Sequence, residues 1–333
     1  MPSVSLVVCV YKERDLLERL LQHAAGCYDD LVVVHDGSEN APPTVSRTPA
    51  KPAAINFNEL KENAPLPEGY RQPDLPACAG SVQELVRRHG GRYYEGPRAF
   101  QQEPHWPFAW AQAKDDWILR LDADEFPSEE LREWLQKFRQ SPEPPSEISG
   151  YTCIWPLWDG RRAIEKKWSN GRIFLIHRQR VRFFGMVEQV PIPDGKYEPL
   201  SMILHHQPLR KSYGLRNVLF RKQAHQWRGV IAQSLLGKPG DLNCWRWVLD
   251  ADWPPVWNKI RQNPLPTAVS RLVMETLRSF RNQWKSGQGF VIGDAVGNPL
   301  HHALIGIKFW RLRHQVGKSP SSVYGKNRQC DVC

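Results

Sequence analysis

A strand–helix–strand pattern at the start of the chain constrains the fold more than any other feature. Residues 5–10 (SLVVCV) and 30–38 (DLVVVHDGS) are β-rich apolar runs, and residues 11–26 between them space their leucines as a helix does. Unbroken apolar strands are typical of a sheet that is covered on both faces. Two such strands joined by a helix form a βαβ unit. We therefore predict an α/β protein whose mostly parallel sheet is flanked by helices.

The next part of the chain continues this alternation. Helical patterns follow at 81–91, 107–113 and 128–138, and Ser128 stands where an N-cap is expected. From 150 to 205, short strands alternate with turns. These segments predict further strands of the same sheet and helices that cover it.

Charge divides the chain into two parts. Residues 1–204 contain 25 lysines and arginines against 29 aspartates and glutamates, whereas residues 205–333 contain 20 against 6. We predict a catalytic domain over 1–205 and a helical, basic region over 206–333. Such a region favours a negatively charged partner, which is an anionic membrane surface, a nucleic acid or a phosphorylated ligand. A solvated basic surface is the alternative.

Two helical patterns stand out in the basic region. Residues 269–284 place their apolar side chains on one face, and residues 300–316 are apolar with a basic end. In the second, Phe309 and Trp310 stand beside lysine and arginine, which is typical of a helix at a membrane surface that faces the acceptor. A core helix whose basic end faces water is the competing interpretation.

Residues 41–79 interrupt the alternation. They contain eight prolines and little periodicity. Loops of this length are uncommon inside a compact domain and are usually functional or disordered. We predict an insertion, in the form of a lid.

The cellular compartment follows from cysteine usage and from the N-terminus. Seven cysteines are scattered along the chain, which argues against a disulfide framework and for a reducing compartment. The start, MPSVSLVVCVY, has neither a cationic lead nor a small-residue cleavage site. We expect a cytoplasmic protein, with peripheral attachment to the inner membrane face.

One carboxylate motif occurs twice. Residues 117–125 read WILRLDADE, and residues 245–253 read WRWVLDADW. Asp122 and Asp124 follow a predicted strand, and Asp36 ends an earlier one. Ligands bind outside the carboxyl ends of strands in open α/β sheets. Carboxylates that converge there would repel one another, so they predict a divalent cation between them.

The second copy lacks this setting. Asp250 and Asp252 lie in the basic region, with no βαβ unit before them and with Pro254 and Pro255 directly after. We predict that they cap or turn the chain, or pair with local arginines.

These motifs together resemble a known family. The matching segments are SLVVCVYKERDLLERLL, DDLVVVHDGS and AWAQAKDDWILRLDADE, with RIFLIHRQRVRFFGMVEQV and ILHHQP further along. They are similar to family 2 glycosyltransferases with the GT-A fold, and most closely to the branch that includes lipopolysaccharide-core glycosyltransferases. The resemblance covers most of the chain except 41–79.

The resemblance implies a reaction. It implies a metal-dependent, inverting transfer from a nucleotide-diphosphate sugar to a hydroxyl of a glycan or lipid-linked acceptor, as in cell-envelope polysaccharide synthesis. The family positions that bind the nucleotide sugar correspond to Tyr11, Glu13, Asp36 and Asp122. Asp124 corresponds to the ligand of Mg²⁺ or Mn²⁺, and His205 or His206 to a group that meets the metal or the diphosphate. Glu188 corresponds to the catalytic base.

Several alternatives stay open. Asp159 and Asp194 are rival bases in the same strand-rich segment. The branch has a basic residue and Asn where this chain has Trp106 and Pro107, so the donor-phosphate contact falls to Arg98, Lys114 or Arg120. Trp155, Trp158 and Trp168 either line an acceptor site or pack in the core.

Other classes of function compete with transfer. One alternative is a protein that binds nucleotide sugars without catalysis. A nucleic-acid-binding protein ranks below it, because no recognised nucleic-acid-binding motif is visible, and no nucleic-acid partner is expected. A nucleotidyltransferase is also disfavoured, because VYKERD stands where a glycine-rich phosphate loop would be.

Overall fold

A computed structural model describes most of the chain. The described residues are 1–39, 55–59, 65–73, 79–99, 101–158, 163–164, 171–186, 189–207, 219–220, 222–237, 243–246, 252–287, 290 and 292–317. The strands are β1 (Val4–Val10), β2 (Asp30–Asp36), β3 (Arg92–Gly96), β4 (Trp117–Arg120), β5 (Glu125–Pro127), β6 (Ile148–Ile154), β7 (Leu157–Trp158), β8 (Ala163–Ile164), β9 (Arg172–His177), β10 (Val181–Arg182), β11 (Ile192–Pro193) and β12 (Lys196–His206). The helices are α1 (Arg14–His23), α2 (Val82–Arg88), α3 (Trp106–Gln112), α4 (Glu129–Gln140), α5 (Lys222–Ser234), α6 (Pro255–Gln262), α7 (Pro264–Ser286) and α8 (Ile292–Gly317).

The predicted α/β class and mostly parallel sheet are confirmed. Eight strands form one sheet in the order β3-β2-β1-β4-β9-β6-β12-β5. Six of them run in one direction, whereas β9 lies antiparallel to β4 and β6, and β5 lies antiparallel to β12. The carboxyl ends of β1, β2, β4, β6 and β12 therefore meet at one edge of the sheet, together with the first residue of β9.

Helices cover both faces of this sheet, as continuous apolar strands require. On one face, α1, α2 and α4 bury their leucines against β1, β2 and β4. On the other face, α3 contributes Phe108 and Trp110, both completely buried. The predicted cap of α4 is present, since Ser128 accepts a hydrogen bond from the backbone N–H of Leu131 at 3.3 Å.

The described pieces of the segment 41–79 differ from the predicted lid. Phe57 is 1% exposed and Tyr70 is 6% exposed, and both belong to the apolar cluster on the α3 face. Tyr70 stacks on Phe108 with ring centroids 3.8 Å apart. These pieces pack as part of the core because aromatic residues stand among the prolines, a feature that composition alone obscures.

The helical region packs against the sheet domain through a third apolar cluster. Phe184 and Met186, which follow β10, pack there with side chains of α5, α6 and α8. Phe309 of α8 is 3% exposed in this cluster. The prediction that residues 300–316 lie in a membrane interface is therefore wrong for Phe309, and the competing interpretation as a core helix is correct.

The apolar face predicted over 269–284 is present on α7, but it points outward. Val269, Leu277 and Trp284 are 65%, 60% and 76% exposed. The opposite side of α7 packs on α8 instead, where Ala268 approaches Gly306. Periodicity thus predicted which residues share a face but not which face meets the core.

Two findings bear on the expected compartment. None of the described helices combines the length and the apolar character that a membrane crossing needs. Cys9, Cys27, Cys153 and Cys244 are buried free thiols.

Candidate functional site

The carboxyl edge of the sheet collects polar side chains from distant parts of the sequence. Tyr11 and Glu13 follow β1, Asp36 ends β2, and Asp122 and Asp124 follow β4. Trp155 follows β6, His206 ends β12, and Arg172 begins β9. Most of the residues predicted to bind the nucleotide sugar or the metal therefore lie on one edge, as the strand ends led us to expect.

The motif after β4 forms a tight turn. The N–H of Glu125 donates to the carbonyl of Asp122 at 2.9 Å, and the N–H of Asp122 donates to Oε2 of Glu125 at 2.9 Å. Ala123 is 4% exposed, so its small side chain lets the turn fold onto the core. The turn reverses the chain into β5 and leaves the two aspartate side chains at the edge.

Arg172 neutralises two of these carboxylates. Its Nη2 lies 2.9 Å from Oδ2 of Asp122, and its Nε lies 3.0 Å from Oε1 of Glu125. Glu125 is completely buried and also accepts a hydrogen bond from Nε1 of Trp155 at 2.8 Å. A buried carboxylate needs such partners, because an unpaired buried charge is costly.

Burial and this pairing together determine the pKa values of both groups. Burial raises the pKa of Glu125, although Arg172 opposes the shift. Burial alone would lower the pKa of Arg172, but the charges of Asp122 and Glu125 outweigh burial and raise that pKa. The Arg172 guanidinium is therefore a permanent cation beside the motif.

The structure brings one of the two candidate histidines to Asp124. Nε2 of His206 lies 3.4 Å from Oδ2 of Asp124. His205 is the neighbouring residue of the same strand, and successive side chains of a strand point to opposite faces. In the pairing of β12 with β5, His205 lies opposite Phe126, whereas His206 lies opposite Glu125. His205 is thus not placed with Asp124.

Trp155 holds the ring of His206. The two rings stack with centroids 4.3 Å apart and planes 22° apart. Because Trp155 also donates to Glu125, its indole ties His206 to the Arg172 ion pairs. Trp155 therefore has a structural role at the site. The side chain of Trp158 and all of Trp168 lie outside the described residues.

Asp124 and His206 are a fitting pair of ligands for a divalent cation. Ligand atoms that lie about 2.1 Å from one ion are roughly 3 to 3.5 Å apart, and carboxylate and imidazole both suit Mn²⁺. Oδ1 of Asp122 is buried and has no hydrogen-bond partner among the described residues. Within the described residues, no group of three or more His, Cys, Asp or Glu is arranged to hold a metal. The pair would therefore share the ion with phosphate oxygens and water, as is usual for Mg²⁺.

Asp36 anchors the loop that follows β3. Its carboxylate receives the guanidinium of Arg98 and the backbone N–H of Ala99. Nε2 of His105 lies 3.1 Å from its Oδ1, and Nδ1 of His105 lies 3.2 Å from the hydroxyl of Tyr70. Both oxygens of Asp36 are engaged, so we expect it to position Arg98 rather than to contact a base directly.

Arg98 covers Tyr11. Its guanidinium lies 3.3 Å above the centre of the Tyr11 ring, in a cation–π contact. Arg98 therefore stands at the mouth of the site, beside the loop that the resemblance assigns to the nucleotide. Of the three substitutes for the missing basic contact, it is the one that lies at this edge and is also reached by solvent, since its side chain is 28% exposed.

The other two substitutes are placed differently. Lys114 precedes β4 and lies at the opposite edge of the sheet. Arg120 is 1% exposed, with its guanidinium 3.8 Å over the Trp106 ring. Its Nε and Nη1 have no hydrogen-bond partner in the part of the chain that the structure describes. Burial and the nearby Arg172 lower the pKa of Arg120 to about 10.

A histidine that sequence reasoning missed shapes the first loop. Nδ1 of His35 donates to the carbonyl of Gly37 at 2.9 Å, which leaves Nε2 to accept the N–H of Lys12 at 3.3 Å. Burial lowers the pKa of His35 and so favours this neutral form. The bond is made by Lys12 in a left-handed conformation, at a φ of 58°.

Glu13 faces the motif carboxylates across the edge. The residue is exposed as a whole, but loss of water around its carboxylate raises its pKa to about 7, and the charges of Asp124 and Asp122 add to the shift. Its Oε2 accepts the N–H of Tyr11 at 3.2 Å. Glu13 thus joins Asp122 and Asp124 at this edge, whereas Asp36, the third carboxylate that the strand ends predicted there, is engaged by Arg98, Ala99 and His105.

The catalytic base is not placed by the structure. Glu188 and its rival Asp159 lie outside the described residues. Asp194 is described, and it pairs with Arg182 at 3.3 Å and with Arg246. It precedes β12, whose far end carries His206, so it lies at the opposite edge from the carboxylates.

The second copy of the motif has a structural role at Asp252. Oδ1 of Asp252 lies 2.6 Å from Nη1 of Arg182. Asp252 therefore pairs with an arginine, as predicted, but Arg182 belongs to β10, 70 residues earlier, and is not local to the motif. Asp250 lies outside the described residues.

Sequence reasoning missed the residues that surround the motif. Glu125 directly follows the two aspartates in LDADE, and this position is the local sequence feature that could have indicated its role. Arg172 comes from a strand 47 residues further along and pairs through strand order. Comparison with models of known protein families finds no match, and comparison with curated proteins finds none either.

Proposed function

We propose that this protein is an inverting glycosyltransferase that uses a nucleotide-diphosphate sugar and a divalent cation. The observation that carries the proposal is the approach of Asp124 and His206 to 3.4 Å at the edge where Glu13, Asp122 and Arg98 also lie. Such an edge is the usual ligand site of an open α/β sheet. The motif resemblance to family 2 glycosyltransferases and the GT-A fold supports the same proposal.

The proposed chemistry assigns a task to each group. Asp124 and His206 would hold Mg²⁺ or Mn²⁺, which would supply positive charge near the leaving diphosphate. Arg98 adds a second cation at the mouth of the site. Arg172 keeps Asp122 in place and offsets part of its charge, and the resemblance assigns Asp122 to binding of the nucleotide sugar.

The proposed acceptor and catalytic base are inferred from the resemblance to family 2 glycosyltransferases. A glycan or lipid-linked hydroxyl must lose its proton as it attacks the sugar, and a carboxylate is suited to accept it. Glu188 is the proposed base. Inversion follows from attack on the face of the sugar opposite to the diphosphate.

A second candidate is a protein that binds nucleotide sugars without transferring them. Two observations favour it over the remaining alternatives. Asp122 is already paired with Arg172, and Trp106 and Pro107 occupy the place of the basic pair in the resembling branch. Release of nucleoside diphosphate from a bound donor separates the two candidates, since only a transferase cleaves the donor.

A thermal-shift panel with matched histidine variants tests the site. Ligands that bind only the folded protein raise its melting temperature. With Mn²⁺, we expect one nucleotide sugar to raise the melting temperature of wild type and of His205→Ala, but to lose about 10- to 100-fold in affinity for His206→Ala. The two histidines are adjacent in β12, so the pair controls for a general effect on that strand.

Two outcomes would contradict this assignment. Equal losses in both variants would show that β12 as a whole, and not the His206 imidazole, supports binding. If no nucleotide sugar changed the melting temperature of wild type, with or without Mn²⁺, the protein would have no nucleotide-sugar site.

A further inference from the structure

The outer face of α7 is an apolar surface without a covering element among the described residues. Val269, Val273, Leu277 and Trp284 are between 50% and 76% exposed. They recur at intervals of four or seven residues, so they form one stripe along a helix of 23 residues. Isolated exposed apolar residues are ordinary, but a continuous stripe of this kind marks a contact surface.

Aromatic side chains extend the stripe at the tip of the α7–α8 hairpin. Gly287, at φ +66°, ends α7. Beyond it, Phe290 is 49% exposed and lies 6.0 Å from the Trp284 ring and 5.9 Å from that of Phe280. Ile292 at the start of α8 is 59% exposed. The tip is therefore an aromatic and aliphatic projection, and such side chains are enriched where membrane meets water.

Positive charge borders the stripe. Arg281 and Lys285 follow Leu277 at intervals of four residues, so they lie along one flank of the apolar face. Arg278 adds a third exposed cation, although it pairs with Glu275 at 3.1 Å. Glu275 is the single acidic residue in α7. An apolar stripe beside a row of cations complements a surface that is apolar in depth and anionic at its head groups.

We propose that the outer face of α7, with the hairpin tip, is an interfacial surface that docks on anionic lipid bilayers. The helix lies in the plane of the membrane, with Leu277 and Trp284 in the acyl boundary and Arg281 and Lys285 at the head groups. The basic composition of residues 205–333 adds long-range attraction to the same surface. This inference does not depend on the proposed transfer reaction.

A second copy of this chain fits the surface less well. In a two-fold symmetric pair, the same patch meets itself. The row formed by Arg281 and Lys285 in one copy would then run beside the same row in its partner, and no acidic residue of the stripe offsets that repulsion.

Vesicle flotation of the full chain tests the proposal without any nucleotide sugar. We expect wild type to float with phosphatidylcholine vesicles that contain phosphatidylglycerol, and to lose most of that binding at high salt. Leu277→Gln and Trp284→Gln should each weaken the partition by about tenfold. Both side chains are exposed, so unchanged melting temperatures would show that these variants fold.

A matched control and a charge variant complete the experiment. Phe220→Gln removes an aromatic side chain that is 75% exposed and lies outside the hairpin, so it should leave flotation unchanged. Arg281→Gln with Lys285→Gln should lose on the order of tenfold on anionic vesicles and little on neutral ones.

Three results would overturn the proposal. If wild type did not float with anionic vesicles at low salt, the outer face of α7 would not be a membrane-docking surface. Equal losses for Phe220→Gln and Trp284→Gln would show that binding is not a property of α7. A dimer in sedimentation that Leu277→Gln dissociates, without vesicle binding, would assign the face to a second copy.

Discussion

Asp124→Ala is expected to lower the rate of nucleotide-sugar cleavage by about 10³-fold, because it removes the carboxylate that we propose as the ligand of the cation at the leaving diphosphate. The His206 imidazole alone would bind the ion weakly. The measurement is release of nucleoside diphosphate with Mn²⁺ at saturating donor. We expect slow cleavage of the donor by water in the absence of acceptor, so the acceptor need not be known.

Asp252→Ala is the matched control for this change. It alters the same position in the second LDAD sequence, where the carboxylate pairs with Arg182 at 2.6 Å. We expect its cleavage rate to stay within about twofold of wild type and its free energy of unfolding to fall by about 1 kcal/mol. Comparable loss of cleavage in Asp252→Ala would contradict the assignment of the first copy as the site.

Arg172→Met is expected to lower the free energy of unfolding by about 3 kcal/mol. The change leaves Glu125, which is completely buried, without its cation, and it leaves Asp122 beside that carboxylate. Methionine preserves much of the side-chain length, so lost packing is small. Urea unfolding of the purified variant measures the change.

Two further variants separate charge from packing. Arg278→Met removes an ion pair of similar length, 3.1 Å, from the exposed surface of α7, and we expect a change below about 1 kcal/mol. Arg172→Met combined with Glu125→Gln should be less destabilised than the sum of the single variants, by at least about 1 kcal/mol. Additive effects would show that the ion pair does not stabilise the fold.

Local sequence pattern predicts the parts of this fold that are built locally. The order β1, α1, β2 follows from apolar periodicity, and the start of α4 follows from Ser128. The placement of Asp36, Asp122 and Asp124 follows from the same reasoning, because parallel strands bring their carboxyl ends together. These predictions needed no knowledge of contacts between distant segments.

The order of the strands in the sheet determines which distant residues meet at the site, and local sequence pattern does not predict that order. The choice between His205 and His206 depends on which side of β12 faces Asp124, and this follows from the pairing of His206 with Glu125. Arg172 reaches the motif because β9 lies between β4 and β6 in the opposite direction. Neither fact is encoded in residues near the motif.

Local sequence pattern also could not predict which of these side chains are buried. Phe57 and Tyr70 lie among prolines, yet they pack against α3 and help to position Asp36. Conversely, the stripe on α7 has the periodicity of a core helix but is exposed, because the opposite side packs on α8. Periodicity specifies a face, and only the packing of the rest of the chain decides what covers it.

Calorimetric titration with nucleoside diphosphates, with and without Mn²⁺, tests the central proposal most directly. Wild type should bind one of them at least about tenfold more tightly with Mn²⁺, and Asp124→Ala should lose this dependence on the metal. Binding that is unaffected by Mn²⁺, or equal in wild type and Asp124→Ala, would contradict a metal-assisted diphosphate site at the carboxyl edge of the sheet.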